Sequence, residues 1–329
     1  MKLDSARMRY KATGALLLLA GTTCAYLFFV SLLWEVGPQG EWPPALVREA
    51  AWPLETQSGA LAPNLANTIP LLVHQTYKTR TVREWRRDRN KKQLIWFNSW
   101  RDRNPDAMHL VWTDAAADAF MRHAFNHTRF YEAYARLPRV VLKTDMLRYA
   151  LIYQFGGVYA DADTSCRRPI EEWFLGHNDA TLIVGVEWYA NFYSHMKDAE
   201  YRKLQLTQWT FAAAPKHPAL FKALEDISNR VIDLYTPELL KDVKNVEFIG
   251  GPQVMTKHVR EYMMGFDESF EDLTPQQKDG EGYFHKSRVL VHPMYSFYTQ
   301  YSGRWFSRQT DLVDHHFYGA SKYGWKFLE

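Results

Sequence analysis

The sequence predicts an α/β fold in which short apolar strands alternate with helices around a largely parallel sheet. Apolar residues make up 47% of the 329 residues, enough for a sizeable core. From Ile69 onward, short apolar runs alternate with stretches of helical length. Sheets of this kind bind ligands beyond the carboxyl ends of their strands, so polar residues at those ends are the first candidates for a functional site.

The amino terminus predicts a membrane anchor. The run from Ala12 to Trp34 carries no charged residue. At ~1.5 Å rise per residue, a helix of that length spans the ~30 Å hydrocarbon core of a bilayer. Lys and Arg residues cluster in 1–11, so the positive-inside rule predicts a cytoplasmic tail and a single-pass type II orientation. A cleaved signal peptide is the alternative, which the length of the run disfavours.

The rest of the chain divides into a stem and one large domain. Residues 35–67 are rich in Pro, Gly, Ala and Glu without sustained periodicity, which is typical of a linker. We therefore expect 68–329 to form the globular domain. Asn126 opens an Asn-His-Thr sequon, a glycosylation acceptor if this domain faces a lumen.

Composition narrows the class of function. The net charge is +3 with Lys and Arg scattered along the chain, which argues against a nucleic-acid partner. Cys24 lies within the apolar run and Cys166 far from it, so the two cysteines build neither a disulfide scaffold nor a structural zinc site.

The elements follow from apolar runs and their punctuation. Strands are predicted at 71–73, 108–113, 158–160, 181–186 and 289–291, and helices at 83–103, 140–155, 218–234 and 252–264. Pro105 ends the first helix, and Asp114 is the predicted N-cap of a helix after the second strand. Gly156 and Gly157 predict an αL C-cap for the helix 140–155, and Pro218 begins the next one.

The candidate site lies directly after the strand 158–160. Asp161 and Asp163 stand at i and i+2, so both carboxylates can reach one hard cation with their oxygen ligands. A cation there neutralises a diphosphate and stabilises the charge that develops as it leaves. Transfer from a nucleotide-sugar donor requires this chemistry.

The preceding helix contributes Asp145 and Arg148, which are three residues apart and therefore neighbours on one face. One interpretation is an intrahelical salt bridge, worth only ~0.2–0.5 kcal/mol at a surface. The other is that Asp145 accepts from donor hydroxyls while Arg148 orients the sugar or its phosphate. The surrounding positions are apolar, and ionised residues are rarely buried without a role, which favours the second.

These residues resemble the family 32 glycosyltransferases, in which Asp-x-x-Arg is followed by Tyr-x-Asp-x-Asp after a Gly-Gly turn and a strand. Asp145, Arg148, Tyr159, Asp161 and Asp163 occupy those positions. The resemblance implies a GT-A (Rossmann-like) domain behind the membrane helix, a bound Mn2+ and retention of anomeric configuration. It also implies that Asp145 and Arg148 hold the donor sugar, and that Asp161 and Asp163 engage the ribose and the metal.

Two further segments extend the resemblance. The opening segment 69–77 is similar to the family's first strand, near the nucleotide, which makes His74, Gln75 and Thr76 candidate donor-binding residues. Segments including Gln208-Trp209-Thr210 resemble the fungal Golgi initiation-specific α-1,6-mannosyltransferase branch.

The carboxy-terminal segment 314–319 resembles that branch's His-His-x-x-Gly, although Ala320 replaces the usual serine. A late histidine can complete a metal shell or contact a diphosphate, and neutral imidazole suits Mn2+ better than Mg2+. His315 and His316 are both candidates, and the sequence does not choose between them.

The resemblance implies GDP-mannose as the donor, a glycan as the acceptor and a Golgi membrane location. Within the family, the alternative is mannosyl transfer to inositol phosphorylceramide, a glycolipid acceptor. A haloacid-dehalogenase-type phosphohydrolase also begins with Asp-x-Asp after a strand, but its required hydroxyl two residues on is matched only by Ser165. A lumenal metal-dependent lectin is the non-enzymatic alternative, and it would leave Asp145 and Arg148 without a role.

Overall fold

The computed structural model describes residues 68–77, 91–189, 204–242, 246–267, 282–294, 296–299 and 311–317. Over these ranges, none of the helices combines the length and the apolar character needed to cross a bilayer. The predicted tail, anchor and stem, 1–67, lie outside the described residues, as does the part of the predicted helix 83–103 that precedes Lys91.

Strands and short helices alternate along this part of the chain. The strands are β1 Leu72–Thr76, β2 Met108–Trp112, β3 Gly157–Ala160, β4 Thr164–Cys166, β5 Leu182–Tyr189, β6 Leu204–Leu206, β7 Thr210–Ala213, β8 Tyr283–Phe284, β9 Val289–His292, β10 Phe297–Thr299 and β11 Val313–His315. The α-helices are α1 Lys91–Arg103, α2 Asp114–Ala124, α3 Arg129–Arg136, α4 Val140–Phe155, α5 Pro218–Asn229, α6 Pro237–Lys241, α7 Val246–Gly250 and α8 Pro252–Met264.

The main sheet is mixed. Its order is β2-β1-β3-β7-β5-β9-β8, with β6 paired to β5. β1 runs parallel to β2 and β3, and β5 runs parallel to β9. β7 is antiparallel to both of its neighbours, β3 and β5. The predicted α/β architecture is confirmed, but the expectation of a largely parallel sheet is wrong, because β6 and β7 return along β5 in the opposite direction.

The returning segment contains an interruption. Leu206 pairs with Val186 at one end of it. At the other end Ala212 pairs with Ile183, so the returning chain has more residues between its two pairs than β5 has. The excess forms a bulge at residues 207–209, whose first residue stays bonded to β5 through the Thr207 amide and the Gly185 carbonyl, 2.8 Å apart. Bulges commonly re-aim side chains beside a site.

A smaller sheet brings the carboxy-terminal segment to the end of β3. Its order is β10-β11-β4, with β11 parallel to β10 and antiparallel to β4. His315 of β11 pairs with Thr164, the residue directly after Asp163. Residues more than 150 positions apart in sequence are therefore neighbours at this edge.

Two buried clusters lie on opposite faces of the main sheet. Leu72 belongs to one and Val73 to the other, as alternation along a strand requires. Helix α4 and the helices α5 and α8 pack in the first cluster. Trp100 and Trp173 are fully buried in the second. Helix α4 thereby lies against the sheet with its first turns beside the end of β3.

The predicted bounds of α4 and α8 are confirmed, and the predicted helix 218–234 is α5 continued by a π-helical turn over Arg230–Leu234. The predicted N-cap at Asp114 is wrong. Thr113 caps α2, because its side chain accepts a hydrogen bond from the Ala116 amide. Asp114 occupies the first helical position, where its negative charge interacts favourably with the positive N-terminal end of the helix dipole.

The glycine pair after α4 departs from the predicted αL cap. Gly156 has φ 68° and ψ −167°, because the chain passes directly from the helix into β3. A Cβ at this position would stand 2.7 Å from Cδ of Pro215, so both the positive φ and the close approach require glycine. The turn delivers β3, and with it Asp161, to a fixed place beside α4.

Candidate active site

Asp161 and Asp163 lie on a tight turn between β3 and β4. The Asp161 amide donates to the Trp209 carbonyl at 2.9 Å. The Asp161 carbonyl accepts from the Thr164 amide at 3.1 Å and from Thr164 Oγ1 at 2.7 Å. Trp100 Nε1 in turn donates to Thr164. The backbone that carries the two carboxylates is therefore held on both sides.

The structure brings Asp161, Asp163 and His315 together. Each offers one ligand atom, and these atoms lie within 4.8 Å of one another. His315 Nε2 is 3.4 Å from Asp163 Oδ1. Two carboxylates and one imidazole form a mixed oxygen and nitrogen donor set of the kind that binds divalent metal ions. The chemistry of these residues thus fits a divalent cation, which this cluster would hold between the two sheets.

The charges in this cluster interact strongly. Burial raises the pKa of the Asp161 carboxyl, although the Arg148 guanidinium acts in the opposite direction. Burial also opposes protonation of His315, but the surrounding carboxylates, chiefly Asp163 with Asp161 and Glu187, together outweigh it and raise the pKa of that imidazole above its ordinary value. A metal cation that replaced the His315 proton would therefore bind where the charge of the adjacent carboxylates already favours a positive ion.

His316 does not join the cluster. Its Nε2 lies 2.9 Å from Ser165 Oγ, and its ring stacks on Trp96 with centroids 3.9 Å apart. Its amide donates to the Asp163 carbonyl at 2.9 Å. Burial lowers the pKa of His316 to about 4, so the ring is neutral at pH 7. The two adjacent histidines, which the sequence could not separate, have different environments.

Asp145 and Arg148 form a buried ion pair that reaches the cluster. Arg148 Nη2 lies 3.1 Å from Asp145 Oδ1 and 3.3 Å from Asp161 Oδ1. Asp145 is 3% exposed and Arg148 is 4% exposed, so the interpretation as a surface salt bridge does not apply. The Arg148 guanidinium also lies over the Tyr159 ring, 5.1 Å from its centroid. The guanidinium of Arg148 thus contacts carboxylates on both α4 and the segment that follows β3.

Tyr159 joins the same network. Its hydroxyl donates to Asp161 Oδ1 at 2.7 Å and lies 3.2 Å from Thr76 Oγ1. Because Tyr159 is fully buried, the structure places it behind Asp161. Thr76 lies at the carboxyl end of β1 and is half-buried. It continues the network from the Tyr159 hydroxyl toward the edge of the sheet.

The prediction that His74 binds the donor directly is wrong. The side chain is fully buried between Trp112 and Phe155, and both ring nitrogens are used. Nδ1 accepts from Trp112 Nε1 at 3.1 Å, and Nε2 donates to the Gly156 carbonyl at 3.1 Å. Burial lowers the pKa of His74 to about 3. This histidine supports β1 and the glycine turn from the core.

Gln75 points to the opposite face but is also fully buried. Its amide nitrogen donates to the Asp161 carbonyl at 3.4 Å, and its amide oxygen lies 2.6 Å from His109 Nε2. The predicted direct contact between Gln75 and a donor is therefore replaced by a supporting contact to the Asp161 backbone.

The bulge 207–209 supplies site residues that the sequence did not assign. Gln208 Nε2 donates to Asp145 Oδ1 at 3.3 Å, and Gln208 Oε1 accepts from the Tyr149 hydroxyl at 3.0 Å. The Trp209 ring stacks on His315 with centroids 4.6 Å apart. The available signal was the similarity of Gln208-Trp209-Thr210 to the mannosyltransferase branch, which carried no residue role.

The sequon residue Asn126 is exposed in the turn between α2 and α3. Its Oδ1 accepts from the His127 amide at 3.0 Å. Thr128, the third residue of the sequon, caps α3 through its side chain. The position is accessible to a modifying enzyme, and glycosylation there remains a prediction.

Comparisons with known proteins agree with this geometry. Residues 90–180 match the family described as a glycosyltransferase sugar-binding region containing a DXD motif. The chain is 28% identical over 212 residues to the initiation-specific alpha-1,6-mannosyltransferase of Candida albicans, covering 57% of this chain and 52% of that protein. It is 30% identical over 202 residues to the protein of the same name in Schizosaccharomyces pombe, covering 59% and 49%.

A third relative carries a different name. The chain is 29% identical over 174 residues to inositol phosphoceramide mannosyltransferase 1 of Schizosaccharomyces pombe, covering 51% of this chain and 45% of that protein. The chain thus spans about half the length of the curated relatives it matches. The segment 90–180 contains the buried Asp145–Arg148 pair, the glycine turn and the two aspartates of the cluster. Motif, local structure and relatives agree over this segment, which is similar to the sugar-binding region of glycosyltransferases that contain a DXD motif.

Proposed function

We propose that this chain is a metal-dependent, retaining glycosyltransferase of GT-A fold that transfers mannose from GDP-mannose in α-linkage to a glycan acceptor. The observation that carries the proposal is the cluster of Asp161, Asp163 and His315, joined through Asp161 to the buried Arg148–Asp145 pair. A structural ion pair has no need of a convergent metal-ligand set beside it, whereas a sugar diphosphate donor needs both.

Asp161, Asp163 and His315 would hold the divalent cation. When bound, the cation supplies positive charge that neutralises the oxygens of a diphosphate and stabilises the leaving group. Asp161 is the shared element, because its carboxylate contacts Arg148 and accepts from the Tyr159 hydroxyl. These two contacts fix the carboxylate before a donor arrives, which is the preorganisation that electrostatic catalysis requires.

Arg148 and Asp145 serve the donor sugar in this proposal. The guanidinium is planar and lies between two carboxylates, so its orientation is fixed. Asp145 shares one oxygen, Oδ1, between Arg148 and Gln208. A carboxylate in this role accepts hydrogen bonds from sugar hydroxyls. Transfer would proceed on the donor's front face, with the leaving diphosphate accepting the proton of the acceptor hydroxyl.

The sugar and the acceptor follow from the relatives. Mannosyltransferases named for α-1,6 initiation match the chain over 57% to 59% of its length, which favours a glycan acceptor. The relative named for inositol phosphoceramide matches over 51%, so mannosyl transfer to that glycolipid is the second candidate. The donor would be common to both, since both kinds of relative are named as mannosyltransferases.

The decisive experiment is a donor and acceptor screen. The purified chain is incubated with GDP- and UDP-sugars and Mn2+, and donor cleavage is scored alone, with a mannan-type glycan and with inositol phosphorylceramide. We expect cleavage of GDP-mannose that requires Mn2+, and a mannosylated glycan of retained configuration. Undiminished activity in a chelator, or no cleavage of any nucleotide sugar, would contradict the proposal. Preference for the glycolipid would establish the second candidate.

We also propose a single-pass type II location in the Golgi membrane, with 12–34 as the anchor and the catalytic domain in the lumen. The charge bias around that run and the exposed sequon at Asn126 support it. An Asn126→Gln variant should lose the mobility shift that a glycosidase produces with the parent chain. In the contrary case, the parent chain would carry no glycan, and protease added outside intact vesicles would cut its catalytic domain. That result would contradict this topology.

A further inference from the structure

Trp209 contacts two of the three cluster residues. Its carbonyl accepts the Asp161 amide at 2.9 Å. Its indole stacks on the His315 ring, with centroids 4.6 Å apart and planes inclined by 26°. Asp161 follows a strand of the main sheet and His315 lies on the smaller sheet. Trp209 therefore contacts both the backbone at the end of β3 and the imidazole on the smaller sheet.

The His315 ring lacks the usual device for fixing its orientation. A metal-ligating histidine usually donates its second ring N–H to a carboxylate or a carbonyl. Nε2 of His315 faces Asp163 at 3.4 Å. Nδ1 is buried and has no hydrogen-bond partner among the residues that the structure describes. The orientation of this ring must therefore come from its packing.

Two aromatic rings provide that packing. Trp209 stacks on His315 as described, and Phe317 lies with its centroid 3.9 Å from that of His315, inclined by 40°. Trp209 is the better fixed of the two. It is 4% exposed, and its Nε1 donates to Glu187 Oε1 at 3.2 Å. Glu187 Oε2 accepts from Gln205 Nε2 at 2.8 Å, so the indole plane is tied to β5 and β6.

We propose that Trp209 is a positioning residue that aims the His315 imidazole at Asp161 and Asp163 and thereby determines how tightly the cluster holds a divalent cation. The inference rests on the proposed function, because it presupposes that the cluster binds a metal. It assigns to the stacked indole the task that a hydrogen-bonding partner performs for other metal-bound histidines. Glu187 contributes indirectly by fixing the indole.

The test is a titration of the purified full chain with Mn2+, in which electron paramagnetic resonance measures the free ion. Loss of an outer-shell support typically weakens metal binding by ~10–100-fold. We expect Trp209→Leu to raise the Kd for Mn2+ at least about tenfold, and Trp209→Phe, which keeps a flat ring, to raise it less. Phe120→Leu is the control for core damage, since this buried ring packs on Trp112, Phe125 and Phe155 in the other cluster. It should lower the Tm and leave the Kd near that of the parent.

A double-mutant cycle separates positioning from general damage to the fold. In a His315→Ala background, Trp209→Leu should have no further effect on the Kd, because the ring that it positions is gone. An additive loss, or a folded Trp209→Leu chain with the parent's Kd, would overturn the inference and leave the metal site intact. If Trp209→Leu does not fold, Trp209→Phe carries the test, and a loss equal to that of Phe120→Leu would overturn it. A parent chain that binds no Mn2+ would overturn both this inference and the proposed function.

Discussion

The two halves of the candidate site are held by different forces. On the α4 side, one guanidinium contacts two carboxylates at 3.1 and 3.3 Å, and a tyrosine hydroxyl donates to one of them at 2.7 Å. On the β11 side, the His315 ring lies against Trp209 and Phe317. The first half depends on charge in a medium of low dielectric constant, and the second depends on shape.

This difference predicts how each half responds to substitution. Removing one partner of a buried charge pair lowers the free energy of unfolding by several kcal/mol, because the other charge is left without compensation. Ring stacking contributes about 0.5–1.5 kcal/mol beyond area burial. Its loss should therefore misorient the His315 ring without unfolding the domain. Substitutions that remove a charge on the α4 side should therefore affect both fold and catalysis, and those on the β11 side mainly metal affinity.

The largest effect is expected where the two halves meet, at Asp163. Asp163→Asn keeps the volume but removes the charge that faces His315 Nε2 at 3.4 Å. Since a catalytic cation supplies several kcal/mol, transfer should fall by ~10³-fold or more. The measurement is the rate of GDP-mannose cleavage at saturating Mn2+. Full activity in this variant would mean that the cluster takes no part in the reaction.

Next in size is the guanidinium of the α4 half. Arg148→Lys keeps a positive charge but not the planar fork that meets both Asp145 and Asp161. We expect kcat to drop by ~10²-fold, as for a small misplacement of a reacting group, with little change in Tm. Arg148→Leu leaves two carboxylates uncompensated and should cost ~3–5 kcal/mol of unfolding free energy. If Arg148→Lys loses Tm and activity in equal measure, the pair is purely structural.

A smaller effect is expected from the hydroxyl behind Asp161. Tyr159→Phe removes a hydrogen bond to a carboxylate, worth ~1.5 kcal/mol. The matched control is Tyr134→Phe, because the Tyr134 hydroxyl donates to Asp118 at 2.8 Å. Urea unfolding should show similar losses for the two variants, while only Tyr159→Phe should slow transfer. Equal rates for both would show that the α4 half does not need this contact.

The smallest effect concerns pH and compares two stacked histidines. Burial holds the pKa of His74 near 3 in the fold, below its unfolded value of ~6.5. The stability from neutral His74 is thus present above about pH 6.5 and is lost as the pH falls toward the folded value, by up to ~1.4 kcal/mol per pH unit. Asp163 raises the pKa of His315, so its contribution has the opposite sign: it is present below about pH 6.5 and lost as the pH rises.

The variant His74→Gln tests this sign. Urea unfolding at several values between pH 7 and pH 5 should show a shallower loss of stability on acidification than in the parent chain, by about one bound proton. The slope is compared rather than the absolute stability, because the substitution also alters packing. An unchanged slope would mean that His74 is not held neutral by the core.

Local sequence predicted the α4 half well. Helix α4, the glycine turn, β3 and the aspartates that follow it lie within one short segment, where an apolar run of helical length and the Gly156-Gly157 break mark the elements. The bounds Val140–Phe155 matched the prediction. The burial of the Asp145–Arg148 pair was also signalled, because apolar residues surround it in the helix.

The β11 half could not be predicted in the same way. His315 and His316 are adjacent, and only the pairing of β11 with β4 decides which ring faces Asp163. The role of Trp209 depends on the bulge 207–209, which arises from the register of two strands on β5. His74 was assigned to the donor because segment 69–77 resembles the family's first strand, yet Trp112 and Phe155 enclose it. Long-range pairing leaves no periodic signal in a single sequence.

We propose that Asp161, Asp163 and His315 hold one divalent cation between the two sheets. Variants of the two adjacent histidines test this site, because only one of the two rings faces Asp163. Electron paramagnetic resonance titration of Mn2+ should give one site in the parent chain. His315→Ala should raise its Kd more than tenfold, the scale of losing even an outer-shell support. His316→Ala should leave the Kd within about threefold, since Ser165 and Trp96 hold that ring away from the cluster. A larger loss in His316→Ala than in His315→Ala, or no Mn2+ site in the parent, would contradict the account.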